Sequence, residues 1–213
     1  MSMTRNQGRV SEALHHYAEL ADLYYRLMAD PEKAMATYEE ALEYSRRNNA
    51  QPESLVPIFK AMADLERQRL NWRKALSYYE RIRELDASDE DAAMAVVELY
   101  FQLGDTTKAV SALDNFMRYL LKSGQADRLV PTLEDQVRRR PEEISLRQRL
   151  AEVYRQQGRQ QEAIAQMDAL GELLLDAGRM DEAVSTIRRI VNMNPPDVEG
   201  YRQLLKQLES GGR

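Results

Sequence analysis

The sequence predicts an all-α protein, a repeat array of about eleven antiparallel helices. Three observations carry that expectation. A short turn signature recurs along the chain, the stretches between turns repeat their apolar residues at helical spacing, and no stretch shows the period-two alternation of a strand. The signature is plainest as Gly158-Arg159-Gln160-Gln161-Glu162-Ala163-Ile164 and returns as Gly178-Arg179-Met180-Asp181-Glu182-Ala183-Val184. Gly8-Arg9-Val10-Ser11-Glu12-Ala13-Leu14 has the same form, and Gly104-Asp105-Thr106-Thr107-Lys108-Ala109-Val110 is a looser copy. A glycine ends one helix, a polar turn follows, and a charge and a small alanine open the next.

Taken in order, the turn position falls at Gly8, Ala29, Leu70, Gly104, Gly124, Gly158, Gly178 and Gly212. Five residues later stands Ala13, Ala34, Ala75, Ala109, Ala163 or Ala183, with Leu129 as the exception. From Leu70 onward the sites are alternately 34 and 20 residues apart, the lengths of a helix pair and of a single helix. Helices are expected over about 9–28, 31–48, 53–69, 72–85, 89–103, 106–122, 125–139, 142–157, 160–176, 179–193 and 196–209. Pro31, Pro52, Pro141 and Pro195-Pro196 mark starts, since the first helical turn needs no N–H from them. Residues 89–142 align with 143–196 without a gap at an offset of 54, matching Tyr100/Tyr154, Gly104/Gly158, Ala109/Ala163 and Gly124/Gly178. A third copy begins at Asp197. A three-helix unit cannot bury its apolar face alone, so stacking must supply the core. The expectation is one helical-repeat domain, 1–213, with units of about 8–69, 70–103, 104–157 and 158–211. Thr4 to Arg9 resembles Tyr154 to Arg159, a helix end with its turn, and Gly212-Arg213 opens the same turn again. That pattern reads as a segment of a longer array.

Composition narrows the function classes. With 213 residues, 43% hydrophobic and 31% charged, and a mean hydropathy of -0.63, much of the helical surface must be solvated. A net charge of -5 supplies no global field for nucleic acid or anionic membrane. Cysteine is absent, which removes disulfides and thiolate chemistry and fits a cytoplasmic, reducing location. No apolar run is long enough to span a bilayer, and Met1 to Arg9 has no apolar leader segment.

These residues resemble the tetratricopeptide repeat (TPR) family, a helix–turn–helix repeat. The best unit is about 144–177, with Leu150, Ala151, Tyr154, Gly158, Ala163 and Leu170 at the signature positions. Units near 90–123 and 56–89 follow, and 15–48 is weaker because Asp22 takes a small-residue position. The resemblance implies a right-handed α-α superhelix, a TPR-like solenoid whose concave face comes mainly from the first helix of each pair. Helices 106–122 and 160–176 depart from strict pairing: each closes one pair and opens the next, and both carry wide apolar surfaces.

Mapped by position, that implied concave face carries Asp64, Arg67 and Gln68, then Glu98, Phe101 and Gln102, then Glu152, Arg155 and Gln156. A solvated face with i,i+3 ion pairs, Asp64–Arg67 and Glu152–Arg155, accounts for the polar members equally well. Phe101 is the foremost candidate anchor, because aromatic side chains dominate interface energetics. Some TPR modules grip a C-terminal carboxylate with paired Lys and Asn residues. Here those positions hold Lys60, Asp64, Met94, Glu98, Gln148 and Glu152, so such a clamp is not expected. Glu12-x-x-His15 lacks the second copy that a di-iron bundle needs. Arg46-Arg47, Arg138-Arg139-Arg140 and Arg188-Arg189 sit at helix ends, where cations complement the dipole. Trp72 is expected to pack between repeats, and Tyr17, Tyr24, Tyr25, Tyr38 and Tyr44 to knit the first two helices together.

The expected function is a protein-interaction scaffold that binds a partner peptide or helix in its groove, with no nucleic acid partner, membrane insertion, cofactor, metal or enzymatic activity. Two alternatives stand beside it. One is the sensor or regulatory arm of a larger signalling or transcription-control protein; the other is a module that self-associates through its repeat ends.

Overall fold

The computed structural model describes residues 2–211, and side chains within 7–210. Among the described residues, eleven α-helices follow one another: α1 (Ser2–Arg26), α2 (Pro31–Arg47), α3 (Val56–Gln68), α4 (Trp72–Leu85), α5 (Glu90–Gln102), α6 (Thr106–Lys122), α7 (Leu129–Arg139), α8 (Ile144–Gln156), α9 (Gln160–Asp176), α10 (Met180–Asn192) and α11 (Val198–Gly211). Single 3-10 turns, Pro52–Leu55 and Ala126–Arg128, lead into α3 and α7. The all-α expectation holds, with no strand among the described residues. No helix among them is long and apolar enough to cross a membrane.

The chain forms two compact units, Met1–Tyr119 and Leu120–Arg213. In the first, α1 packs on α2, α3 on α4 and α4 on α5. Val10, Leu14, Ala21, Ile58, Met62, Tyr79, Ile82, Val96 and Val97 lie in its interior. In the second, α7 packs on α8, α8 on α9, α9 on α10 and α10 on α11. Leu133, Leu146, Leu150, Met167, Leu170, Leu174, Ile187 and Ile190 are buried there. Helix α9 touches α8 and α10, as its broad apolar surface leads one to expect.

The turn signature works as read at most sites. Gly104, Gly124, Gly158 and Gly178 have φ between 69° and 75°, and a Cβ at any of them would meet nothing within 4 Å. Glycine is therefore required there by conformation rather than by space. Ala29 and Leu70 take the same left-handed conformation, at φ 49° and 59°. The alanine five residues later is fully buried at Ala34, Ala75, Ala109, Ala163 and Ala183, where a small side chain lets neighbouring helices approach.

Gly8 is the correction. It lies inside α1, which runs unbroken from Ser2, and its φ is not left-handed. Val10, Leu14 and Ala21 form one buried stripe along that helix, while Ala13 is only half-buried. The alanines that follow the left-handed turns are fully buried, and Ala13 is not. The expected helix end over Thr4 to Gly8 is therefore continuous helix. Gly212-Arg213 lies outside the described residues. Two left-handed turns without glycine also emerge, at Asn49 (φ 48°) and Asn194 (φ 51°).

The 54-residue repeat extends to side-chain chemistry. Asp89, Glu143 and Asp197, spaced by that period, each accept a backbone N–H at a helix start: Ala92 N at 2.8 Å, Ser145 N at 3.2 Å and Gly200 N at 3.2 Å. Tyr100 donates its hydroxyl to Glu80 at 2.6 Å, and the equivalent Tyr154 donates to the equivalent Glu134.

Candidate peptide-binding groove

Helix α3 presents two faces. Met62, Ala63, Leu65 and Glu66 are buried, while Asp64, Arg67 and Gln68 are exposed. Tyr79 of α4, itself buried, delivers its hydroxyl to that outer face. The hydroxyl donates to Asp64 Oδ1 at 2.7 Å and accepts from Arg67 Nη1 at 3.4 Å, and Arg67 stands 3.7 Å from the same carboxylate oxygen. Burial and the Asp64 carboxylate push the Tyr79 phenol up to about 12. The hydroxyl beside Arg67, with Asp64 and Glu98 nearby, holds that guanidinium protonated above its usual range. Two clefts meet at Asp64 and Gln68. One, of about 200 Å³, lies between α1 and α3 and is lined by Asp22, Tyr25, Arg26, Tyr38, Ala61, Asp64, Leu65 and Gln68. The other, of about 400 Å³, adds Arg67 and Trp72.

The remaining expected residues are placed less evenly. On α5, Glu98 and Phe101 are half-buried and Gln102 is exposed. In the second unit, Arg155 donates to Glu152 through Nε at 3.0 Å and Nη2 at 2.6 Å. Gln156 donates to Glu152 at 3.0 Å, and Arg189 lies 3.6 Å away. Those donors, Arg155 foremost, hold the Glu152 carboxyl below its usual range. Glu152 is thus engaged within the chain, as Asp64 and Arg67 are by Tyr79 and by each other, and the α3 trio also borders the two clefts. Lys60, at a clamp position, is taken by Asp91 at 3.0 Å.

Sequence reasoning did not single out Asp22, Tyr25, Arg26 and Tyr38, which line the smaller cleft, or Tyr79, which fixes Asp64 and Arg67. The available signal was the i,i+4 pair on α1, Asp22 with Arg26 at 2.6 Å, which echoes Asp64 with Arg67 on α3. Trp72, expected to pack between repeats, is half-buried and also borders the larger cleft. The tyrosine cluster does join α1 to α2, with the Tyr17 and Tyr44 rings 5.7 Å apart. The arginine runs pair along their helices, Arg139 with Asp135 at 2.8 Å and Arg47 with Glu43, and Arg188 reaches Glu209 at 2.7 Å. His15 and His16 both lie beside Glu19, at 3.4 and 3.1 Å. Chemically, the α3 trio with Tyr79 offers fixed donors and acceptors of both signs beside aromatic walls, an arrangement suited to a polypeptide surface.

Comparison with known proteins gives three family matches. Residues 1–128 match the model described as soluble NSF attachment protein, SNAP. Residues 105–174 match bacterial transcriptional activator domain, and 166–199 match tetratricopeptide repeat. Vesicular-fusion protein SEC17 of Komagataella phaffii is 30% identical over 122 residues, 53% of this chain and 41% of that protein. The chain therefore spans about two fifths of the length of that curated relative. Among solved structures, BtubC (BKLC) from P. vanneervenii aligns at 16% identity and TM-score 0.46, over 95% of this chain and 82% of that one. The TPR2AB domain of yeast Sti1, in complex with pHSP90, aligns at 13% identity and TM-score 0.39, over 92% and 83%.

Proposed function

Since the chain belongs to the soluble NSF attachment protein family, we propose that it is an adaptor. As a helical-repeat scaffold, it holds a peptide or helix of a partner protein along the outer faces of α1, α3 and α5; within the second unit, taken by itself, Glu152, Arg155 and Gln156 on α8 offer a contact surface of the same kind. The observation that carries this reading is the Asp64–Tyr79–Arg67 hydrogen-bonded set at the meeting of two clefts. Side chains already fixed by one another lose little rotamer freedom when a partner arrives, so more of each contact appears as affinity. Phe101 supplies the aromatic anchor and Gln68 and Gln102 the amide contacts to a partner backbone.

The test is selection of binders from a random-peptide display library, followed by calorimetry. Selected peptides lose about tenfold in affinity, or 1.4 kcal/mol, with Asp64→Ala or Phe101→Ala and are unchanged by Glu39→Ala on the exposed face of α2. Equal affinity for all three variants removes the groove from the account. A second reading, a regulatory arm of a transcription-control protein, is favoured by the match of residues 105–174 to a bacterial transcriptional activator domain. A native gene encoding no DNA-binding or signalling domain beside these residues would exclude it.

A further inference from the structure

We propose that Arg69 is a salt-sensitive tether that sets the gap between the α1–α2 and α3–α4 hairpins, and so the width of the cleft between α1 and α3; its functional weight rests on the groove reading above. Arg69 caps the end of α3 and is only 23% exposed in its side chain. Its two terminal nitrogens face different ways. Nη2 reaches Glu32 Oε1 of the other hairpin at 2.5 Å, and Nη1 lies 4.0 Å from Glu66 Oε1. Glu66 is 1% exposed, accepts from Asn71 Nδ2 at 2.6 Å, and has Lys74 Nζ at 3.8 Å.

The turn is locally specialised. Four residues before the left-handed residue, where Glu66 stands, the other such turns have Tyr25, Ser45, Tyr100, Leu120, Tyr154, Leu174 and Ile190; one residue before it, only this one of them has an arginine. Asn71 supplies the hydrogen bond to the buried Glu66 carboxylate, and Arg69 at 4.0 Å and Lys74 at 3.8 Å add charge attraction that draws Arg69 toward the inner side. The outer partner, Glu32, is 83% exposed and open to screening by salt. Added salt thus releases the outer link first while the inner one holds. Backbone contacts between α2 and α3 are sparse beside those within each hairpin, and this link adds a side-chain bridge across that seam. The cleft lined by Asp22, Arg26 and Asp64 lies between helices of the two hairpins.

The chain has no cysteine, so spin labels at Ala36→Cys on α2 and Ser77→Cys on α4, both exposed, report the hairpin separation alone. In the wild-type background, the pulsed-EPR distance distribution broadens from low to high salt. Glu32→Gln is broad already at low salt, the ratio of near to far separations reduced by up to about fivefold, and it does not respond to salt. Glu32→Lys inverts the response: it is widest at low salt and narrows as salt is added, an outcome that loss of packing alone does not produce. Identical distributions for wild type and Glu32→Gln, or no narrowing in Glu32→Lys, overturn the proposal. Because these distances are read without a peptide, the tether and the groove fail separately.

Discussion

Two alanine substitutions in one unit, at glycines sharing a sequence signature, should change stability in opposite directions. Gly104 has φ 74°, and a Cβ there would touch nothing within 4 Å. The cost of Gly104→Ala is therefore backbone strain, about 1–2 kcal/mol for an L-residue held left-handed. Restricting the unfolded chain returns about 0.4–1 kcal/mol of that. The net expectation is a loss of about 0.5–1 kcal/mol. Gly8 also has open space around it but lies inside α1. Gly8→Ala removes a flexible residue from a helix and should add about 0.5–1 kcal/mol. At this chain length each kcal/mol moves the melting temperature by about 2–4 °C. Urea denaturation followed by helical circular dichroism measures both. A Gly8→Ala variant as destabilised as Gly104→Ala would mean that the chain turns at Gly8, and the continuous first helix would be wrong.

Leu70→Gly should stabilise the chain by up to about 1 kcal/mol, because Leu70 pays the left-handed penalty at φ 59° while 66% exposed; a lower urea midpoint would contradict this. Asp89→Ala should cost about 1 kcal/mol through loss of the cap on Ala92 N, with Asp89→Asn retaining most of it in the same assay. Alkaline pH should weaken the fold through tyrosine. Burial, together with hydrogen bonds to carboxylates, pushes Tyr79, Tyr154 and Tyr201 up to about 12, and the hydrogen bond to Glu80 does the same for Tyr100. The folded state keeps these protons longer than the unfolded chain, whose phenols titrate near 10. Their stabilisation is complete below pH 10 and is lost as pH rises toward 12. Urea midpoints at pH 9 and 11 should therefore differ less in Tyr79→Phe than in wild type, and an equal drop in both would remove Tyr79 from this effect.

Helix number and most boundaries were legible because apolar spacing and the buried small alanine are local properties of the chain. Ala29 and Leu70 could be recognised as turn residues by spacing alone, despite the wrong side chain for a left-handed residue. Asn49 and Asn194 escaped because no glycine or alanine signal marks them, although asparagine tolerates that conformation. Gly8 misled for the converse reason: the signature was present, but the chain stays helical through it and Ala13 is only half-buried. The TPR resemblance implied which helix of each pair faces a groove, so Asp64, Arg67 and Gln68 could be named by position. What fixes them could not. Tyr79 reaches Asp64 from the next helix, and Asp22 and Arg26 join the cleft by packing of the α1–α2 hairpin on α3. Such contacts depend on how helices sit together, which side-chain spacing within one helix does not encode.

The central claim, a partner-binding groove on the first helices of the pairs, is tested most directly by hydrogen exchange with a library-selected peptide bound. The account predicts added protection along α1 and α3, centred on Asp64 to Gln68, with the exposed face of α2 unchanged. Protection confined to α2 and α4, with α1 and α3 as in the free chain, would contradict it.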